Sequence, residues 1–331
     1  MNLCAIFTLL LSPSVYSFAT IPSSSSRQSM ASTSIHNIMS SDIAVVGCGV
    51  LGTSLCKQLL SSPDFKGKSV TGITKTKNNH ESIENKILGS DSDASSSINT
   101  DQFQLRTFDE MIKQKQFDNV VFCAPPSGFD DYPAAVQNVI DTLWAGPENG
   151  VFVFTSSGGI YGPGNGETVT ETTELPPAET PRTRRLIKAE LNTIAAGGCV
   201  LRLAGLYTLE RGAHKFWLEK SNGSVGGQKD GIINLLHYDD AAGSCIAALR
   251  TKQKDVMGKV FLISDGNPTT RIGICESALK SSRYSGLDMP TFGEGDDSAE
   301  KGKIYDGHWS NEVLGWKPVY NSFDEFMVNS Q

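Results

Sequence analysis

The run Asp42-Ile43-Ala44-Val45-Val46-Gly47-Cys48-Gly49-Val50-Leu51-Gly52 carries the strongest structural signal in the chain. Its first half is apolar and β-branched, which predicts a short strand buried on both faces of a parallel sheet. Apolar residues then recur at intervals of three and four as far as Leu60, and Pro63 follows. This spacing predicts a helix, so a strand, a tight turn and a helix follow one another directly.

The turn itself has three glycines in the pattern G-x-G-x-x-G, at Gly47, Gly49 and Gly52. In such a turn the first glycine permits the bend, the second lets a pyrophosphate approach the backbone, and the third lets the helix pack closely on the strand. The first turn of the helix then faces the phosphates. The pattern predicts dinucleotide binding, and a purely structural turn is the alternative.

The end of the second predicted strand bears on which dinucleotide is bound. NAD sites commonly carry an acidic residue about 20 residues after the glycines, which holds the ribose 2′-hydroxyl. Here the sequence is Ile73-Thr74-Lys75-Thr76-Lys77, with hydroxyls and two ammonium groups and no acid. A 2′-phosphate is attracted by such a group. NADP is therefore predicted, with NAD as the alternative, although the two lysines also fit ordinary solvated loop charges.

Strand and helix patterns continue to alternate along the chain. Strands are predicted at 69–74, 103–106, 119–123, 151–155, 199–203 and 259–264, and helices at 79–87, 108–115, 184–194 and 239–249, besides one with Val136, Ile140, Leu143 and Trp144 on one side. This order predicts an α/β protein with a doubly wound parallel sheet, the Rossmann fold. We assign residues 42–265 to this domain, with an insert near 206–231, and residues 266–331 to a small C-terminal lobe on the substrate side.

The first 41 residues differ in composition from the rest. They contain no Asp or Glu, only Arg27 among lysines and arginines, an apolar run at 3–11 and a Ser-rich stretch at 23–34. This pattern is typical of a targeting or transit segment, and Ser17-Phe18-Ala19 resembles the bipartite signal of complex plastids. We predict import into a plastid or another organelle; a secretory signal, or a cytoplasmic protein with a disordered tail, are the alternatives.

Composition excludes several classes of function. The formal charge of −7 and the pI near 5.3 give no general attraction for nucleic acid phosphates. The seven cysteines lie far apart without zinc-ligand spacing, so they are predicted to be small buried residues, and no metal site is predicted. No stretch after residue 41 is apolar enough to span a bilayer, so no membrane contact is predicted for the mature form.

The end of the fifth predicted strand carries hydroxyl groups in the run Thr155-Ser156-Ser157-Gly158-Gly159-Ile160-Tyr161-Gly162, and Ala124-Pro125 ends the fourth. In open α/β sheets, ligands bind at this carboxyl edge. The cofactor-binding residues predicted from these patterns are Gly47, Gly49, Val50, Leu51, Gly52, Thr74, Lys75, Thr76, Ala124, Pro125, Thr155 and Ser156.

Taken together, these motifs resemble those of the extended short-chain dehydrogenase/reductases in the NAD-dependent epimerase/dehydratase superfamily. Besides the glycine turn and the 155–162 run, the motifs that carry the resemblance are Val169-Thr170-Glu171, Lys188-Ala189-Glu190, 201–207, 234–242 and 314–318. They span residues 43–326 in order. The resemblance implies a Rossmann fold, a small-molecule substrate and, because such proteins often pair through helices, a homodimer.

The catalytic residues of that superfamily match poorly. Its Tyr-x-x-x-Lys pair should begin eight residues before Glu190, where this chain has Arg182 and Leu186. The chain therefore resembles the atypical branch, which keeps the fold without the standard catalytic set. Ser157 matches the serine that polarises the substrate, and Tyr161 is the other catalytic candidate, although the resemblance also gives Tyr161 a structural role in the Tyr-Gly turn.

Three functions are compatible with these observations. The first is an NADP-dependent oxidoreductase that acts on a small organic or sugar-derived substrate with an unusual proton donor. The alternative is a protein that binds NADP(H) without catalysis and serves as a sensor or scaffold. The third is a nucleotide-sugar epimerase or dehydratase, which depends most on the missing pair.

Two further groups of residues have open or structural interpretations. Contact with an anionic substrate and a place on an exposed helix face both remain open for Arg184, Arg185 and Lys188. His237 is predicted to be a structural cap beside Asp239.

Overall fold

The alternation of strands and helices that the sequence predicts is present in the protein. The computed structural model describes residues 42–89, 100–111, 117–177, 180–220, 223–293 and 301–330. The predicted targeting segment and the end of the helix predicted at 108–115 lie outside these ranges. Those predictions therefore remain predictions.

Seven strands form one parallel sheet within the described residues, in the spatial order β3-β2-β1-β4-β5-β7-β12. The strands in chain order are β1 Ile43–Val46, β2 Val70–Thr74, β3 Phe103–Thr107, β4 Asn119–Phe122, β5 Phe152–Ser157, β6 Asn165–Val169, β7 Cys199–Leu203, β8 Gly205–Tyr207, β9 Ser224–Val225, β10 Ile232–Ile233, β11 Leu235–His237, β12 Val260–Ile263, β13 Thr269–Thr270, β14 Thr291–Phe292 and β15 Gly302–Tyr305. The chain order reverses between the neighbours β1 and β4, which is the topology of a doubly wound sheet.

Helices cover both faces of this sheet. In chain order they are α1 Val50–Ser61, α2 His80–Leu88, α3 Phe108–Met111, α4 Tyr132–Leu143, α5 Pro181–Ala195, α6 Ala213–Glu219, α7 Tyr238–Arg250, α8 Gln253–Val256, α9 Arg271–Leu279, α10 His308–Leu314 and α11 Phe323–Asn329. The apolar face of α1 packs with α2 and α7 in one hydrophobic cluster, and α4 and α5 pack in a second. The Rossmann fold predicted from the sequence is confirmed.

Four short strand pairs form separate two-stranded sheets beside the main sheet. β8 pairs with β11, β9 with β14, β10 with β13, and β6 with β15. Between 206 and 231 the sequence predicts only an insert, whereas the structure also forms α6 there. Ser40–Gln331 forms one compact unit. This unit is not divided near residue 265, so the boundary between the domain and the C-terminal lobe stays a prediction.

The predictions from composition can be compared with the described residues. Five of the six described cysteines are buried, and Cys123 is half-buried. No cluster of three His, Cys, Asp or Glu side chains suited to a metal occurs in the described ranges. Among the same ranges, no helix is both long and apolar enough to cross a bilayer.

Candidate functional site

The residues predicted for cofactor binding come together at one edge of the sheet. They lie at or directly after the carboxyl ends of β2, β1, β4 and β5, which are consecutive neighbours in the sheet. Parallel strands place these ends on the same side, so the four connecting segments border one crevice. The crevice lies at the switch point between β1 and β4, where ligands bind in open α/β sheets.

The glycine turn between β1 and α1 has the geometry that its sequence predicts for the first and third glycines. Gly47 has φ +104°, and a Cβ there would lie 2.4 Å from the backbone nitrogen of Ala124 after β4. A Cβ on Gly52 would lie 2.3 Å from the carbonyl oxygen of Gly47. Larger residues at either position would push the turn away from its neighbours, which explains both glycines.

Gly49 differs from the other two because it has room. Its φ is −77°, and a Cβ built on it would meet no atom within 4 Å. Neither the backbone angle nor a neighbouring residue therefore requires glycine here. The residue lies at the N-cap of α1, next to Val50 and Leu51, where backbone N–H groups lack helical partners. The open space and the free donors fit the diphosphate of a dinucleotide.

The two lysines after β2 have different surroundings. The Lys75 ammonium donates to the carbonyl oxygen of Gly128 at 3.1 Å, which links the β2 end to the 3₁₀ turn Pro126–Gly128 after β4. Lys77 pairs instead with Glu110 at 2.5 Å. Hydrogen bonding to Lys77 lowers the pKa of Glu110 to about 2, so the carboxylate is ionised at neutral pH and lies beside the ammonium of Lys77.

The neighbouring threonines complete the β2 tip. The Thr74 hydroxyl donates to the carbonyl of Thr76 at 2.9 Å, and its oxygen lies 2.6 Å from Nε2 of His80. Sequence reasoning missed His80, since an isolated histidine in a polar helix gives no local signal. It lies at the first position of α2, so its ring is held beside the strand end.

A groove of about 850 Å³ begins at the glycine turn and runs along the outer side of α1. Its wall includes Gly49 and Val50 from the turn, Lys57 from α1 and Lys86 from α2. The groove also borders Tyr320, close to the C-terminus. The turn is thus open to solvent on this side.

Hydroxyl groups in the last three residues of β5 form the next part of the edge. Thr155 donates to the carbonyl of Phe122 at 3.3 Å. Ser156 is 6% exposed, and its hydroxyl has no hydrogen-bond partner within the described residues. Ser157 caps the 3₁₀ turn Gly158–Tyr161, where its oxygen accepts a bond from the amide of Gly159 at 3.2 Å.

The structure corrects one of the two catalytic candidates. Tyr161 has no solvent exposure, and its hydroxyl donates to the carbonyl of Thr170 at 2.8 Å. The same oxygen accepts a bond from Arg202 at 3.0 Å, and burial raises the pKa of Tyr161. A phenol held in this way inside the fold cannot reach a substrate. Tyr161 therefore has the structural role that the Tyr-Gly turn implied.

Another phenol, missed in the sequence, lies beside this edge. The Tyr305 ring covers Gly158, since a Cβ on Gly158 would lie 2.3 Å from its Cε2 and 2.8 Å from its hydroxyl. Burial raises the pKa of Tyr305 to about 12, so this phenol keeps its proton at neutral pH. β15 holds Tyr305 in place by pairing with β6, and Lys303 donates to the carbonyl of Tyr161 at 2.7 Å.

The positions that the resemblance assigns to the Tyr and Lys, 182 and 186, lie in α5. Arg182 is exposed in its first turn, and Leu186 is buried in the core cluster with α4. One turn further on, Glu190 forms a buried ion pair with Arg202 of β7, with Nη2 and Oε2 2.8 Å apart. The inner face of α5 is thus occupied by an apolar contact and an ion pair.

The predicted cap role of His237 is confirmed. Its Nδ1 accepts a hydrogen bond from the amide of Asp239 at 3.1 Å, at the N-cap of α7. Its ring packs against Tyr207 and Tyr320, and burial lowers its pKa. A neutral imidazole suits this acceptor role.

These features define a Rossmann-type α/β protein with a glycine-rich turn at the switch point of its sheet. Residues 43–186 match the model of the NAD dependent epimerase/dehydratase family. The match covers less than half of the chain, and it supports the resemblance to the NAD-dependent epimerase/dehydratase superfamily that the motifs indicate. No curated protein matches the chain.

Solved structures share the fold at low sequence identity. A conserved protein of unknown function from Silicibacter pomeroyi is 19% identical, with a TM-score of 0.65 over 87% of this chain and 96% of that one. The UDP-glucuronic acid 4-epimerase from Bacillus cereus in complex with NAD is 18% identical, with a TM-score of 0.63 over 87% and 96%. The UDP-Glc/GlcNAc 4-epimerase from Campylobacter jejuni is 19% identical, with a TM-score of 0.65 over 88% and 98%.

Proposed function

We propose that the protein binds NADP(H), with NAD(H) as the alternative, at the crevice between β1 and β4. The observation that carries this proposal is the contrast among the three glycines. Gly47 and Gly52 are required by close backbone contacts, whereas Gly49 borders open space at the start of α1. That arrangement leaves bare amides facing an empty volume, which is what a diphosphate requires.

The reaction proposed is oxidation or reduction of a small organic or sugar-derived substrate. When bound, the nicotinamide would supply or accept a hydride. Ser157 would orient a substrate oxygen, because its hydroxyl accepts one bond within the described residues and keeps its own proton for donation. Tyr305, on the neighbouring Gly158, is the phenol that replaces Tyr161 as the candidate proton donor.

Replacing Gly49 with Asp tests coenzyme binding directly. Asp is a favourable N-cap residue, and the position has room, so the fold should be retained. A carboxylate a few ångströms from a phosphate costs on the order of 4 kcal/mol in a partly screened site. We therefore expect affinity for NADPH in isothermal titration calorimetry to fall by about 100-fold to 1,000-fold.

The matched control is Gly286→Asp, since Gly286 also has no neighbour within 4 Å of a built Cβ. That variant should bind NADPH as the natural protein does. The proposal fails if the natural protein shows no binding heat with NADP⁺, NADPH, NAD⁺ or NADH. It also fails if Gly49→Asp binds as tightly as the Gly286 control.

A protein that binds the coenzyme without catalysis is the second candidate. Two buried residues favour this second candidate. Leu186 occupies the position that the resemblance gives to the lysine and has no proton to transfer, and Tyr161 is a phenol without solvent exposure. Tight coenzyme binding without turnover on a broad panel of carbonyl and alcohol substrates would support this function. A nucleotide-sugar epimerase or dehydratase ranks third, since such a reaction would need a proton-transfer pair that α5 does not provide.

A further inference from the structure

Arg185 lies where α5 meets the carboxyl edge of the sheet. The helix begins at Pro181 and packs against both the turn 126–128 after β4 and the turn 158–161 after β5. Arg185 precedes the buried Ala189 by one helical turn, so the two share the inner side of α5. Its side chain therefore starts beside the crevice rather than on the outer surface.

The environment of Arg185 is unusual for a basic residue. Its Nε is fully buried without a hydrogen-bond partner, and the described residues provide no ion pair to its guanidinium. In contrast, Lys188 on the same helix is exposed to solvent. A half-buried cation loses hydration, and it normally recovers that free energy from a hydrogen-bonded anion. Within the described part of the chain, no such anion is present.

A second orphaned polar group lies on the same face of the sheet. Ser156 alternates with Phe152 and Phe154, whose side chains pack in the cluster with α4 and α5. Its side chain thus faces α5, is 6% exposed and has no partner for its hydroxyl in the described ranges. Buried hydroxyls are normally hydrogen-bonded, so an unsatisfied one at a ligand-binding edge indicates a missing partner.

The local charge favours an anion in this place. From Pro181 to Ala189 the sequence has four basic residues and no acid, while the whole chain carries a formal charge of −7. We propose that Arg185 binds an oxyanion of the substrate, a carboxylate or a phosphate, with Ser156 as an additional donor. The planar guanidinium matches either group through two parallel hydrogen bonds. This inference rests on the proposed function, because it names the substrate class of the same crevice.

The test uses the full-length protein with malonate, inorganic phosphate and the neutral analogue malonamide as probes. Each is titrated calorimetrically at constant ionic strength, with the protein free and saturated with NADPH. We expect malonate or phosphate to bind the NADPH-saturated protein and malonamide not to bind. Arg185→Met should weaken the bound oxyanion about 10-fold to 100-fold, as expected for loss of a charged hydrogen-bond donor.

The matched control is Lys188→Met, which removes the same charge from the same helix at an exposed position. It should leave oxyanion affinity unchanged. A preference for malonate assigns a carboxylate, and a preference for phosphate assigns a phosphate. The inference is overturned if neither oxyanion binds, or if the two variants weaken binding equally.

Coenzyme binding by each sample separates this inference from the proposed function. If NADPH binds to Arg185→Met as to the natural protein while the oxyanion does not, the role of Arg185 is specific to the substrate. If NADPH affinity falls in parallel, Arg185 contacts the coenzyme instead, and the inference is wrong. An oxyanion that binds through Arg185 while no coenzyme binds would refute the proposed function alone.

Discussion

Lys75 and Lys77 have the same charge and lie two positions apart, yet their contacts differ. Lys77 is held by Glu110, whose pKa it lowers. Lys75 contacts only a carbonyl oxygen among the described residues, that of Gly128, on the opposite side of the crevice. The sequence could not separate the two, because Glu110 lies far along the chain, in α3.

Coenzyme preference should therefore depend on Lys75 alone. We expect Lys75→Met to weaken NADPH about 10-fold to 100-fold, as loss of a charge-assisted hydrogen bond does. Its affinity for NADH should change little, which controls for the lost bond to Gly128. Lys77→Met should alter neither affinity. Calorimetric titration of both variants with both coenzymes tests this, and an equal loss of NADPH and NADH affinity would contradict it.

At the level of single residues, local signals are predictable from the sequence and distant partners are not. The glycine turn can be assigned because its three glycines lie within six consecutive residues and the pattern gives each of them a separate structural role. The contact between Tyr305 and Gly158 joins residues far apart in the chain, so no local pattern reveals it. Tyr161 is a catalytic candidate by sequence because its type suits proton transfer; its burial beside Arg202 becomes visible only in the fold.

Among the elements, α5 is fixed to the sheet by an ion pair as well as by apolar contacts. The side chains of Arg202 and Glu190 are 7% and 3% exposed, and Arg202 also donates to Tyr161. The pair thereby connects α5, β7 and the turn after β5. Because the first turn of α5 borders the crevice, this pair also positions the residues that precede it.

Breaking this pair on one side should cost much more than removing it entirely. Glu190→Leu leaves the buried Arg202 without compensation, and we expect a loss of about 3 to 5 kcal/mol in the free energy of unfolding. The double variant Glu190→Leu/Arg202→Leu should regain a large part of that loss. Urea unfolding measures both. A single variant within about 1 kcal/mol of the natural protein would show that the pair contributes little.

The strand and helix order of the main sheet follows from hydrophobic periodicity, because each element buries a continuous apolar face. Several shorter elements give no such signal in the sequence. α6 has seven residues, of which only His214 is buried, so its sequence shows no clear periodicity. β15 is half-buried along its length and pairs with β6, which lies far earlier in the chain, so its partner leaves no local signal.

For the whole molecule, two buried carboxylates are notable: Asp240 links α7 to the C-terminal segment, and Asp265 lies in the turn after β12. Asp240 of α7 accepts bonds from the amides of Val319 and Tyr320, at 2.7 and 3.0 Å. Asp265, after β12, accepts one from Asn267 at 2.9 Å, and its other oxygen is buried without a partner in the described residues. Burial raises the pKa of both, that of Asp265 to about 7.

These surroundings predict that stability falls as pH rises. The folded protein favours protonated Asp265, whereas the unfolded chain ionises it near pH 4. The stabilisation is therefore complete below about pH 4, is lost progressively up to about pH 7, and changes no further above it. Between pH 5 and 7, the free energy of unfolding should decrease by about 2 to 3 kcal/mol relative to Asp265→Asn, which cannot ionise.

Urea unfolding at a series of pH values measures this difference. The control is Asp288→Asn, at an exposed site, which should follow the natural protein. Parallel pH profiles for the natural protein and Asp265→Asn would show that Asp265 is ionised in the fold at pH 5, which would require a donor to its second oxygen.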